Sequence, residues 1–484
     1  MLSSPKGRRP ARLARSAAIY GTAGVLGKAA ALLAVPYLTR QLGPEQYGLV
    51  DLATSFSGLL VIVVRFAGDM PTMRLAAHLD SDGRQRAHSA FVGGTIITSV
   101  LAVAMLVPTA GLVAAGLWDS PDSGGLAMAA MFLIPVNAVQ TAFANVLRFA
   151  ERPKTFAVVA VIDLVAQLAL AVVLVAAGFG PLGVVLGYIL GGLIGLGATA
   201  VAARHHLSRT FDFGLARRLI REGLPFLPGV IAFIFADTVA RTIAANTIGI
   251  GAVGQLGLAI RIASVITLAS GAFSSAWGPY GFALTPSPAT RNLLSRVAFV
   301  MVTIVSVAAV GAGAVAPELS VIVGGSQFLE ASHAIPGLLL SGGLTAWVYV
   351  LTTAAGIAHR GQWVAWAAVL GAIVQIGAIS FLIPTLGISG FAIGSVLGRL
   401  ASVAMLGWAV SETAPTSPGG VAVVALAVTG TFVTQALNVS PAETLLPRLM
   451  LAAGAAVVGV VILARTVAHL GPVSTSTGKD SLPQ

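Results

Sequence analysis

The chain contains no cysteine, which excludes disulfides, thiolate metal sites and cysteine nucleophiles. Charge is scarce too: Asp, Glu, Lys and Arg make up 9% of the sequence, where soluble domains use roughly 25%. The seven histidines fall at no metal-ligand spacing, and the adjacent His205 and His206 point in divergent directions on a helix. No GxxxxGK[ST] phosphate loop occurs, so direct drive by ATP is not encoded. No cofactor and no metal are expected. The longest polar connections, residues 69–88 and 204–222, are too short for a soluble catalytic domain, so the chain does not read as an enzyme.

What is abundant is apolar sequence. Hydrophobic residues account for 56% of the chain, and residues 89–117 and 182–203 contain no Asp, Glu, Lys or Arg. Such runs exceed the roughly 20 residues needed to span a hydrocarbon core. Alternating ten-residue strand patterns are absent, so the fold class expected is an all-α membrane protein rather than a β-barrel. The pattern predicts 14 transmembrane helices. Residues 16–203 hold the first six, after a basic tail at 1–15; 204–222 form a linker; 223–410 hold six more. Helices at 419–437 and 447–468 follow within 411–468, and residues 469–484 form a second tail. Arg448 and Arg465, flanking the apolar part of the last helix, would have to snorkel.

Orientation follows from where Lys and Arg collect. With a cytoplasmic N-terminus, 21 of the 28 Lys and Arg lie inside, Arg40 and Arg448 lie outside, and five lie within helices. Both termini are therefore expected in the cytoplasm. The formal net charge of +11 reflects this orientation and contact with anionic membrane lipids, not nucleic-acid binding.

The chain also repeats itself. Gly180, Gly183, Gly187 and Gly191 recur as Gly387, Gly390, Gly394 and Gly398, at a constant offset of 207 residues (180 to 387). Within one residue of that shift, Ala150, Arg152 and Gln167 match Ala358, Arg360 and Gln375, and Gly43, Gly48, Leu52 and Ala53 match Gly249, Gly254, Leu258 and Ala259. Two related halves of six helices each must have the same orientation, so the repeat is expected to be parallel, as in secondary transporters whose substrate passes between halves. Glycines spaced three to four apart let neighbouring helices approach closely.

The opening YGTAGVLGKAAALLAVPYLTRQLGPEQYGLVDLATSF, residues 20–56, resembles the first hairpin of bacterial polysaccharide (O-antigen or capsule-type) flippases of the multidrug/oligosaccharidyl-lipid/polysaccharide exporter superfamily. The match is carried by Pro36 to Arg40 and by the turn Gly43-Pro44-Glu45 through Tyr47-Gly48. The resemblance implies transport of an oligosaccharide on a polyprenyl pyrophosphate across the bacterial cytoplasmic membrane, with a polysaccharide polymerase or export machinery as a further partner. Two rivals stand beside it: a drug or small-cation exporter on the same scaffold, and a membrane glycosyltransferase or polymerase. Cations in the cavity argue against the first, and the lack of catalytic groups on sizeable loops argues against the second.

Ionisable residues inside helices are the candidate site. Lys28, about 18 Å along its helix at roughly 1.5 Å per residue, and Arg399 lie near the midplane, with Arg65, Arg241 and Arg261 nearer helix ends. These cations are expected to line a cleft and bind the substrate anion. Asp51, Asp163 and Asp237 are the expected charge partners or ion-coupling groups. A buried charge costs at least about 2.5 kcal/mol, so each should face water or a partner. Asp237 and Arg241, four apart, share one helix face, so neutralising each other is the equal alternative to a cleft-lining role. Lys28 and Arg399 have no such neighbour, their repeat counterparts are Ile234 and Gly192, and Asp163 is a possible partner on another helix. Asp80-Ser81-Asp82 spells an acid-x-acid pattern that binds metal in glycosyltransferases, but followed by Gly83 in a short loop it reads as a turn.

Overall fold

The computed structural model describes residues 8–76, 79–281 and 284–413, and beyond them 426, 428–430, 433, 446–457 and 459; all regular structure among these is helical. Eleven helical stretches among them are long and apolar enough to cross a membrane. The first 32 residues and a few positions between 268 and 280 carry no described side chains.

The elements follow the glycine and proline punctuation. Helix α1, Arg8–Val64, is two segments joined at Gly43, whose φ of 68° and ψ of 176° leave the helical path. A residue without Cβ takes that conformation at no steric cost, and Pro44 then opens the second segment with φ preset. After it come α2 (Asp69–Ala76), α3 (Ser81–Leu106), α4 (Ala110–Leu117), α5 (Gly124–Phe149), α6 (Pro153–Ala176) and α7 (Gly180–Ala203). The remainder of the described bundle is α8 (Phe213–Gly223), α9 (Leu227–Ile248), α10 (Ile250–Gly281), α11 (Pro288–Ala314), α12 (Ala316–Gly324), α13 (Ile335–Ile357), α14 (Gln362–Leu386) and α15 (Ile388–Ala409).

Glycines set the closest helix contacts. A methyl on Gly187 would stand 2.3 Å from the Ala171 nitrogen, and one on Gly191 would stand 2.3 Å from that of Gln167, so α6 and α7 touch backbone to backbone. On α15 a methyl on Gly394 would meet Ile379 Cγ1 at 2.4 Å and one on Gly398 would meet Gln375 Cβ at 2.6 Å, which packs α14 against α15. At the Gly43 end, a methyl on Gly48 would lie 2.2 Å from the Ile250 carbonyl oxygen and one on Gly254 1.9 Å from that of Pro44. These last two contacts are reciprocal: each glycine meets the residue four before the other. They belong to one apolar core running from Val35 to Val410.

The helix ends recur as well. Glu151 and His359 both take positive φ, 52° and 54°. In each case the amide bonds a carbonyl three residues back, and the next amide, of Arg152 or Arg360, reaches five residues back. Both are Schellman ends.

Two polar connections are more structured than their composition suggests. Residues 204–222 contain α8, started by Asp212, whose Oδ1 accepts from the Leu215 amide at 2.9 Å. Its Ala216 and Leu219 pack into a cluster with Phe66 and Phe91, while Arg217, Arg218 and Arg221 stay exposed. Between α2 and α3, Asp80 Oδ1 accepts from the Gly83 amide at 2.9 Å, so the acid-x-acid sequence begins with a helix cap.

The helix expected at 419–437 lies largely outside the described residues, as do residues 469–484 and much of 447–468. The described part, Leu446–Val457, is a short apolar helix. In it Arg448 is fully buried rather than snorkelling. Its Nη2 donates to Glu318 Oε1 at 2.9 Å and its Nη1 to Glu318 Oε2 at 3.2 Å and to the Ala314 carbonyl at 3.0 Å. A two-pronged carboxylate partner removes the need to reach solvent.

Candidate functional site

A seam of polar side chains runs where α1 and α10 meet α9, α14 and α15. Asp51 sits two turns beyond Gly43 on α1, and Gly257 on α10 leaves it room: a methyl there would be 2.8 Å from the carboxylate carbon. Arg241 of α9 donates from Nε to Asp51 Oδ2 at 2.7 Å, and both residues are buried. This ion pair joins segments 190 residues apart. It also corrects the alternative in which Asp237 and Arg241 neutralise each other. Arg241 Nη1 bonds only the backbone carbonyl of Asp237, at 3.0 Å, and the Asp237 carboxylate accepts from Gln375 Nε2 at 2.6 Å. A carboxylate across the seam meets the guanidinium head-on, while the i−4 side chain is turned toward α14.

Arg399 and Arg261 have a different environment. The Arg399 guanidinium lies 3.6 Å from the centre of the Phe233 ring, and that of Arg261 lies 5.2 Å from the centre of Tyr47. Tyr188 of α7 lies near Arg261. Neither arginine has an ion-pair partner among the described residues. Aromatic faces compensate a desolvated cation by about 2 kcal/mol, less than a carboxylate provides. Asp51 acts on Arg261 and Asp237 on Arg399 only from beyond ion-pair distance, which leaves both guanidiniums open to an anion.

The other expected residues separate. Arg65 is held at the far end of α1 by an ion pair with Asp69, whose second oxygen accepts from Asn145 Nδ2 at 2.6 Å. Asp163 accepts from Gln167 Nε2 at 2.9 Å on its own helix and packs under Gly195. It makes no ion pair with Arg399. The side chain of Lys28 lies outside the described residues. Sequence reasoning missed Phe233, Asp69 and Asn145 and named Gln375 only as the repeat counterpart of Gln167; Asp69 carried a local signal, four residues after Arg65.

Hydrogen bonds that join the halves among the described residues crowd toward the Gly43 end. Thr39 Oγ1 reaches the Val323 carbonyl at 3.2 Å, Arg40 Nη2 that of Ile322 at 3.2 Å, and Asn246 Nδ2 that of Leu117 at 3.3 Å. Together with the Asp51–Arg241 pair, they close the seam at that end.

This is the architecture of a multi-pass helical membrane protein. The structure superposes on the lipid II flippase MurJ in its inward closed conformation with a TM-score of 0.74 at 11% identity, covering 93% of this chain and 99% of that one. On an inward-facing multidrug resistance MATE family transporter of the MOP superfamily the TM-score is 0.61 at 17% identity, covering 83% and 96%. On a MOP superfamily transporter from Pyrococcus furiosus it is 0.50 at 16% identity, covering 86% and 95%. At such identities the likeness is one of fold. No curated protein matches the chain in sequence. The polysaccharide biosynthesis protein family matches residues 13–284, more than half of the sequence, and the chain belongs to that family.

Proposed function

We propose that the protein is a flippase that carries a polyprenyl-pyrophosphate-linked oligosaccharide across the bacterial cytoplasmic membrane. The observation that carries this reading is the pair Arg261 and Arg399, partly buried at the seam and in no contact ion pair among the described residues. A pyrophosphate offers several acceptor oxygens to such groups. Family membership and the flippase-like fold support the same substrate class. In this reading, Lys28, Arg399 and Arg261 receive the anion while the polyprenyl tail stays in lipid. Arg241 and Arg65, tied to Asp51 and Asp69, hold the wall, and Asp163 and Asp237 serve as charge partners or ion-coupling groups.

Residues 16–203 and 223–410 then form two six-helix lobes of a parallel repeat. The reciprocal Gly48–Gly254 contacts and the matched Schellman ends support it, since a two-fold relation makes residue i meet j and j meet i. The 204–222 linker joins the lobes, and two further helices complete fourteen, offering a groove for the tail. Both termini face the cytoplasm, the closed Gly43 end faces outward, and rocking of the lobes exposes the cleft to each side in turn. A polysaccharide polymerase or export machinery takes the product. The work is transport, without bond chemistry.

The MATE likeness favours a second reading, export of a drug or small cation. Excess positive charge at the seam opposes it. Proteoliposomes separate the two: a fluorescent polyprenyl-pyrophosphate oligosaccharide should cross and become protected from an impermeant reagent, and Arg399→Ala should slow this at least tenfold. Movement of an organic cation but not of the lipid-linked glycan would overturn the proposal.

A further inference from the structure

Well away from the seam, the turn between α5 and α6 and the adjoining ends of α3 and α7 enclose a second, basic cavity. It has a volume of about 250 Å³ and is lined by Ser81, Arg84, Gln85, His88, Arg152 and His206, with Phe149 behind. Gln85 also lines an adjoining cavity of about 830 Å³, to which Arg86, Arg204 and Arg209 contribute. None of these five arginines is ion-paired among the described residues. The nearby acids are few: Asp82 lines the larger cavity, Glu151 precedes Arg152, and Asp80 is engaged as the α3 cap.

Loose surface arginines alone would reflect only the side of the membrane on which they sit. His88 sets this place apart. It is 5% exposed, its ring lies 5.9 Å from that of Phe149, and its Nδ1 stands 3.1 Å from the His206 carbonyl oxygen. A carbonyl only accepts, so Nδ1 carries the hydrogen and Nε2 of the neutral ring is an acceptor. That Nε2 is buried without any hydrogen-bond partner. Buried polar nitrogens are seldom left so, and the ring that carries this one lines an arginine-rimmed cavity, which points to a ligand that draws Nε2 toward it.

We propose that this cavity binds a monoester phosphate, either a soluble ester or the headgroup of a lipid that ends in one. Its oxygens accept from Arg84 and Arg152, and its P–OH, with a second pKa of about 6, shares one proton with His88 Nε2. A diester phosphate has no proton to share, and a carboxylate has fewer oxygens for the two guanidiniums. The site is separate from the seam and does not depend on the transport reading.

Binding to the purified full-length protein tests it. Glycerol 3-phosphate in detergent solution is the soluble arm. Phosphatidic acid against phosphatidylglycerol in nanodiscs, read by native mass spectrometry, is the lipid arm, with the diester lipid as control. Saturable binding is expected in at least one arm, with phosphatidic acid preferred over phosphatidylglycerol if the lipid is the ligand. His88→Asn keeps a donor near the Nδ1 position and deletes Nε2. It should weaken the monoester at least tenfold and leave the diester unchanged. Arg84→Gln with Arg152→Gln, exposed changes that leave the core intact, should weaken monoester binding at least tenfold even if His88→Asn folds poorly. Binding in neither arm overturns the proposal, as does monoester binding that the arginine pair does not weaken.

Discussion

The helix pair α6–α7 and the helix pair α14–α15 close through glycines at matching places, yet their polar residues differ. Gly191 presses on Gln167 and Gly398 on Gln375. Gln167 then turns to Asp163 on its own helix, whereas Gln375 reaches Asp237 on α9. The residue matching Arg399 in the first pair is Gly192, and the one matching Asp163 in the second is Gly371. Where backbones touch, only glycine fits. Where a side chain faces the seam, composition is free to diverge, and the charges at the seam sit in different patterns on the two sides.

The most severe way to probe that difference is to break the ion pair that joins the halves. Asp51→Asn leaves Arg241 buried without its counter-charge and should cost about 3–5 kcal/mol of stability, seen as a large fall in thermal midpoint in detergent. Adding Arg241→Met should recover much of the loss. If Asp51→Asn alone is tolerated, the pair is not what holds the seam.

The scaffold should be sensitive on both sides. Gly187→Ala and Gly394→Ala each introduce overpacking worth roughly 1–3 kcal/mol. Gly187→Ala should be the worse because its methyl meets backbone nitrogen, while that of Gly394 meets the side chain of Ile379 first. Monodispersity and thermal midpoint check this, and a loss confined to one helix pair would break the likeness between them.

Function should divide where the charges do. Arg399→Ala should reduce flipping at least tenfold, about 1.4 kcal/mol in the barrier, at unchanged membrane abundance, with Arg399→Lys retaining part. Wild-type transport by Arg399→Ala would place the specialised chemistry elsewhere. The smallest effects belong to the matched helix ends: Glu151→Gly and His359→Gly relieve a left-handed residue and should each raise stability by about 0.5–1 kcal/mol. Unequal gains at the two would mark one end as strained by something beyond its backbone.

The features legible in the sequence are those fixed by local geometry. The glycine ladders, the Gly43-Pro44 break and the spans among the described residues are imposed by helix contact, turn conformation and length, each visible in local sequence. The partners of the charges are not local. Spacing joins Arg241 to Asp237, but the guanidinium bonds Asp51 across the seam, a choice that depends on how α1, α9 and α10 are brought together. Helix α8 was read as part of a polar linker because its apolar face, Leu215, Ala216, Leu219 and Ile220, is short and interleaved with Arg217, Arg218 and Arg221. Arg399 stood out as a cation with no acid at helical spacing on its own helix, while the Phe233 ring that covers it lies on another helix.

The burial of Arg448 against Glu318 also has a history in time. The carboxylate is synthesised 130 residues before its cation, an interval of roughly 6 to 26 seconds at about 5–20 residues per second. During that interval α11 and α12 are already made while their clasp is still on the ribosome. The Arg448 clasp on Glu318 and the Ala314 carbonyl can form only when the Leu446–Val457 helix arrives, so a chain halted before that helix leaves the corner unfastened.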